Sequence, residues 1–124
     1  MKMNTDDMLA AADEASALLK ALANRHRLII ICQLIDRERS VGELAELLQI
    51  RDSTVSQHLA LLRKDGLVSA RRDGQTIWYS IVSGPARELV QTLYRAYCAP
   101  ASARTARPRG DRRTAKRHAL APHQ

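Results

Sequence analysis

The stretch SVGELAELLQIRDSTVSQHLALLRKDGLVSARRDGQTIWYSIV, residues 40–82, decides the fold. Ser40 stands three residues before Glu43, the spacing of a capping box in which hydroxyl and carboxylate each satisfy an orphan backbone N–H. Leu44, Leu47 and Leu48 then carry a short helix over residues 40–48. After the break at Gln49-Ile50-Arg51, Asp52 or Ser53 suits the N-cap of a second helix over about 52–65. Its buried side is Val55, Leu59 and Leu62, and Gly66 closes it. From Leu67 the apolar period changes from helical to alternating. Asp73-Gly74 between the two alternating runs predicts a hairpin turn with positive φ at both central positions. Two short helices and a ribbon in this order make a winged helix-turn-helix, whose second helix enters the DNA major groove.

Outward from this module the pattern stays helical. Upstream, Met8, Ala12, Ala15, Leu19 and Leu22 recur at spacings of four and three along a helix over Asp6 to Ala23, a narrow seam suited to a partner helix. Asn24 caps a second helix with Leu28, Ile31, Cys32 and Ile35 on one face. Downstream, Ser83 caps a last helix that tolerates Pro85 in its first turn and aligns Leu89, Val90, Leu93, Ala96 and Tyr97 up to Cys98. The expected fold is mainly α with a β-hairpin wing: four helices, two strands and a final helix.

Charge divides the chain differently. Its net charge is +7, which points to a polyanionic partner. Residues 99–124 hold seven Lys/Arg against Asp111 alone, so nearly all the excess lies there and residues 1–98 carry only +1. That segment is rich in Ala, Arg and Pro without apolar periodicity, which reads as a disordered basic tail; solvated disorder, a sequence-independent DNA arm and a species-specific decoration are its open readings. Residues 1–98 form the one folded domain. The chain has no Phe and one Trp, so Leu, Ile, Val and Ala must fill the core. The early acids Asp6 and Asp7 and the lack of a long apolar run exclude a signal peptide or membrane span and imply a cytoplasmic protein.

The polar side of the second helix of the module carries the DNA reading. Ser53, Thr54, Ser56, Gln57, His58 and Arg63 are its candidate contacts, with Arg71, Arg72 and Gln75 on the wing. Small hydroxyls at a helix N-terminus permit close approach to phosphates, Gln57 suits the two-pronged edge of an adenine, and the wing arginines suit phosphate or minor groove. The runs Ser40-Val41-Gly42-Glu43-Leu44, Ser53-Thr54-Val55-Ser56-Gln57-His58-Leu59 and Arg71-Arg72-Asp73-Gly74-Gln75 resemble the ArsR/SmtB family of regulators, over residues 15–98. The resemblance implies a homodimer through the first and last helices. It also implies a repressor that binds double-stranded operator DNA and lets go when an inducer binds.

Many members of that family sense metals, but the ligands are missing here. The helix at 40–48 has Gly42-Glu43-Leu44-Ala45 where a Cys-x-Cys would be needed, and residues 85–98 contain no His or Asp. His26, His58, His118 and His123 read as isolated surface or tail residues, so neither a metal nor another cofactor is expected. What remains is Cys32 and Cys98. Their surroundings resemble the branch of the family that includes biofilm growth-associated, sulfide-responsive and haemolysin regulators. That resemblance implies a dithiol switch, closed by a persulfide or oxidant into a disulfide or polysulfide link that weakens operator binding. Read from the residues alone, two inert thiols in a constitutive repressor or anti-silencer remain the alternative. No Cys-x-x-Cys and no paired acid-base constellation suggests an enzyme.

Overall fold

The computed structural model describes residues 4–98, and the basic tail expected at 99–124 lies outside the described residues. The elements run α1 (Thr5–Leu22), α2 (Arg25–Gln33), β1 (Arg39–Ser40), α3 (Val41–Leu48), α4 (Asp52–Lys64), β2 (Val68–Asp73), β3 (Thr76–Ile81) and α5 (Gly84–Tyr97). No described helix is long and apolar enough to cross a membrane.

Local chemistry starts most of these helices where the pattern predicts. Asn24 Oδ1 accepts from the backbone N–H of Arg27 at 3.1 Å, and Ser83 Oγ accepts from that of Ala86 at 3.1 Å. The capping box at α3 is complete. Ser40 Oγ accepts from Glu43 N–H at 3.2 Å, and Glu43 Oε1 accepts from Ser40 N–H at 3.2 Å. Helix α4 departs from expectation. Neither Asp52 nor Ser53 caps it; the N-cap is Arg51, which makes no side-chain cap bond. Arg51 serves through its carbonyl, which accepts from Thr54 and Val55 N–H at 3.1 Å each. Asp52 thus falls inside the first turn, where its charge complements the positive end of the helix dipole.

Two further corrections concern the sheet. It has three strands in the order β1-β3-β2, because Arg39 and Ser40 pair antiparallel with Tyr79 and Trp78. This short strand joins the wing to the start of α3. At the hairpin, Asp73 pairs with Thr76, so the two-residue loop is Gly74-Gln75 and not Asp73-Gly74. Only Gly74 has a positive φ there, 66°. A glycine in that conformation at the first central position is the pattern of a type II′ turn.

One core holds these elements together. Ile30, Ile31, Leu44, Val55, Leu59, Leu62 and Ala86 are fully buried, and Leu34 and Val90 nearly so. At about 25 cal/mol per Å² of apolar surface, each such aliphatic contributes roughly 1.5–3 kcal/mol. Helix α1 joins this core through its last turn, Ala21 and Leu22, while Met8, Leu9 and Leu19 stand about half exposed or more.

The turn between α3 and α4 contains the one non-glycine residue at positive φ among those described, Gln49 at 59°. A side chain in the left-handed region costs roughly 1–2 kcal/mol, which glycine avoids. Part of that gain is offset by the greater freedom of glycine in the unfolded chain. Gln49→Gly is therefore expected to stabilise the fold by up to about 1 kcal/mol in urea unfolding. A clear loss of stability would show that the Gln49 side chain, which donates to Glu46 O at 2.9 Å, matters more than its backbone.

Candidate nucleic-acid interface and thiol pair

Burial of Val55, Leu59 and Leu62 fixes the rotation of α4 and so decides what it shows to solvent. Ser53, Ser56, Gln57, Ala60, Arg63 and Lys64 are all exposed. At 100° per residue they share about 120° of the helix surface. Ser56, Ala60, Arg63 and Lys64, with Leu59 and Tyr79 of β3, line an open cleft of about 470 Å³ between α4 and the sheet. Lys64 and Tyr79 are not among the contacts that the sequence pattern assigns. Lys64 has the spacing of the face, but Tyr79 arrives through sheet pairing that no local pattern announces.

Thr54 and His58 sit on the flank of α4, both half-buried. Rather than standing alone, His58 meets His26 of α2, with ring centroids 5.6 Å apart and planes inclined at 45°. The Nδ1 atoms of both rings are buried with no hydrogen-bond partner among the described residues. Burial, then the positive charges of Arg27 and His26, hold the His58 pKa below its ordinary value.

The wing residues divide. Strand alternation sets Arg71 opposite Trp78 on one face and Arg72 opposite Ile77 on the other. Arg71 is engaged within the protein. Its Nε and Nη2 donate to Glu38 Oε2 and Oε1 at 3.0 and 2.7 Å, and its Nη1 lies 3.9 Å from Asp73 Oδ2. Glu38 thereby has its pKa lowered, first by the hydrogen bonds from Arg71. Arg72 and Gln75 are exposed at and beside the tip.

The cysteines lie on α2 and at the end of α5. Cys32 is the penultimate residue of α2 and packs against the core, and Cys98 is the C-cap of α5. Both are half-buried. The Cys32 thiol is pushed up to about 11, mainly by burial and further by the charge of Cys98, so the two groups stand within electrostatic reach. The end of α2 is clamped from two sides. Arg39 Nε donates to Gln33 O at 2.7 Å, and Arg87 Nη1 of α5 donates to Ile35 O at 2.9 Å. Among the described residues no three His, Cys, Asp or Glu side chains are grouped to hold a metal ion.

Comparison with known proteins agrees with this architecture. Residues 24–70 match the profile of bacterial regulatory proteins of the arsR family. The transcriptional activator HlyU of Vibrio cholerae is 46% identical over 96 residues, covering 77% of this chain and 89% of that protein. This chain belongs to the ArsR family. It is a DNA-binding transcriptional regulator, in the branch of HlyU and the biofilm growth-associated repressor. The crystal structure of the transcriptional repressor BigR from Xylella fastidiosa superposes with a TM-score of 0.73 at 40% identity, covering 79% of this chain and all of that one. The homodimeric winged helix-turn-helix domain Mb0332 from Mycobacterium bovis superposes with a TM-score of 0.62 at 33% identity, covering 75% and 86%.

The histidine contact makes stability depend on pH. Because the folded state holds His58 below its ordinary value of 6.5, the unfolded chain takes up that proton more readily. The stability this group contributes is complete above 6.5 and is lost as pH falls through the lower folded value. Wild-type protein is therefore expected to lose more stability than His58→Gln between neutral and mildly acid pH in urea unfolding. Identical acid slopes would show that His58 carries no such linkage.

Proposed function

We propose that this chain is a homodimeric, operator-binding repressor whose DNA affinity is set by the thiol pair Cys32 and Cys98. The observation that carries the reading is that Cys32 near the end of α2 and Cys98 at the end of α5 belong to two helices tied together there, Arg87 Nη1 of α5 donating to Ile35 O at 2.9 Å, with the charge of Cys98 acting on the Cys32 thiol. Ser53, Ser56, Gln57 and Arg63 on α4 and Arg72 and Gln75 on the wing are the assigned DNA contacts, flanked by Thr54 and His58. The operator is double-stranded, and the inducer is a small persulfide or an oxidant. Dimerisation is supported by exposed apolar surface on the first and last helices. Met8, Leu9 and Leu19 of α1 and Tyr94 and Tyr97 of α5 are about half exposed or more, a pattern that marks an association surface. The homodimeric state of the mycobacterial domain supports it further.

The chemistry follows from the burial of Cys32. A thiol pushed up to about 11 stays protonated at neutral pH, and the thiolate is the nucleophile. Cys98 is therefore the attacking group and Cys32 the resolving one. With peroxide, the Cys98 thiolate displaces hydroxide to give a sulfenic acid, and Cys32 then expels water to form the disulfide. With a persulfide, Cys98 takes the terminal sulfur and releases a thiol; Cys32 attacks the inner sulfur, and hydrogen sulfide leaves. If both cysteines first become persulfides, their condensation leaves a trisulfide and again releases hydrogen sulfide. Linking the two sites ties the end of α2 to that of α5. Gln33, the neighbour of Cys32, is bound through its carbonyl to Arg39, whose backbone pairs with Tyr79 at the DNA-side cleft.

A second reading, a constitutive repressor or anti-silencer with structural thiols, is favoured by the packing of Cys32 against the core. The names of the relatives carry both signs of regulation, activator and repressor. DNA occupancy yields either, by blocking transcription or by displacing another silencer.

The test is the mass of the reduced protein after persulfide or peroxide treatment, followed by operator binding. An intrachain link between the Cys32 and Cys98 peptides is expected, with additional sulfur under persulfide, and a fall in operator affinity of at least tenfold. Cys32→Ser and Cys98→Ser should bind as the reduced protein does and lose that response. Two unmodified thiols under both treatments would overturn the switch and leave the constitutive reading.

A further inference from the structure

The wing carries two adjacent arginines, but their environments differ. Arg71 gives both arms of its guanidinium to the Glu38 carboxylate, at 3.0 and 2.7 Å, with Asp73 at 3.9 Å from its third nitrogen. Among the described residues Arg72 enters no ion pair, and it points from the opposite face of β2. Glu38 lies outside the wing, in the segment between α2 and β1, so the pair spans two parts of the chain that local pattern does not join.

A phosphate offers an arginine the same two-oxygen edge that a carboxylate does, and both use the same pair of donors. Glu38 and a DNA phosphate are therefore alternatives for Arg71, not additions. The pair is also in water, with the Arg71 side chain 54% and that of Glu38 38% exposed, so a phosphate has access to it. Together Arg71, Glu38 and Asp73 bring a net charge of −1 to a hairpin that is otherwise basic at its tip.

We propose that Glu38 is a specificity-determining residue of the wing: by occupying Arg71 it withholds one phosphate contact and restrains sequence-independent binding to DNA. Contacts to phosphate raise affinity for every duplex alike. Removing one from the wing lowers the background against which the base-reading residues of α4 discriminate. The inference uses the family's DNA binding and is independent of the thiol switch.

The test is binding of a duplex lacking any operator, by fluorescence anisotropy across a salt series, with the full chain in its reduced form. Glu38→Gln is expected to bind it about threefold or more tighter, with the slope of log K against log salt steeper by about 0.9, the value of one added phosphate contact. Arg71→Gln alone should leave the slope unchanged, with any fall in affinity coming from the Glu38 carboxylate it exposes, and in the Glu38→Gln background it should abolish the gain in slope. Glu38→Asp keeps the charge but is too short to hold both arms, so it should show part of the gain. Arg71→Gln alone flattening the slope by about 0.9 would overturn the proposal, because Arg71 would then already lie on a phosphate. A gain in slope that persists in the double variant would also overturn it, because the added phosphate contact would then not be made by Arg71. A wild-type chain that binds no duplex at low salt would overturn the DNA reading as well as this one.

Discussion

Everything the protein presents to DNA depends on the aliphatic stripe Val55, Leu59 and Leu62, buried without remaining exposure in a core shared with Ile30, Ile31 and Leu44. With no phenylalanine available, that core is built of branched side chains whose fit depends on position more than bulk. A rotation of α4 by one residue would bring Ser56 inward and turn Val55 out, at a cost set by the loss of several such contacts. The recognition face is thus fixed from behind. The short strand β1 adds a second constraint, since Ser40 pairs with Trp78 in the wing while capping α3. The first helix of the helix-turn-helix and the wing are consequently held to one another through a single residue.

The same economy appears at the end of α2. The carbonyls of Gln33 and Ile35 are held by Arg39 and Arg87, guanidiniums from the sheet and from α5. These bonds satisfy backbone acceptors that a helix terminus leaves open. They also make the neighbourhood of Cys32 the place where three parts of the fold meet. A covalent change there acts on a junction, not on a peripheral loop.

Most of the fold is legible in the sequence because most of it is local. Asn24, Ser40 with Glu43, Ser83 and Gly66 each act on backbone groups within about four residues, which is the range over which sequence pattern is read. What the pattern does not reveal is the product of contacts distant in the chain. The two-residue strand β1 has no period of its own and exists only because β3 lies beside it. His26 and His58 look isolated until α2 and α4 pack. Arg71 looks like Arg72 until Glu38 is found opposite it. Local misreadings are smaller: Asp52 and Ser53 are good capping residues, but the helix begins one position too early for Asp52 and two for Ser53. Gly74 takes the first place of the turn rather than the second, which moves Asp73 into the strand. For the candidate site, the exposed row on α4 follows from helical spacing, whereas the state of each wing arginine does not.

Trp78 is the sole tryptophan of the chain, and it lies half-buried on β3 in a shallow cleft of about 300 Å³ with Arg37, Glu38, Arg71 and Asp73. The buried core contains neither Trp nor Phe. Intrinsic indole emission from this protein therefore originates in the wing alone, beside a guanidinium and two carboxylates whose arrangement shifts its colour and yield. Excited at the red edge of the indole band, where the three tyrosines do not absorb, the molecule carries its own optical reporter of the hairpin, readable without a label.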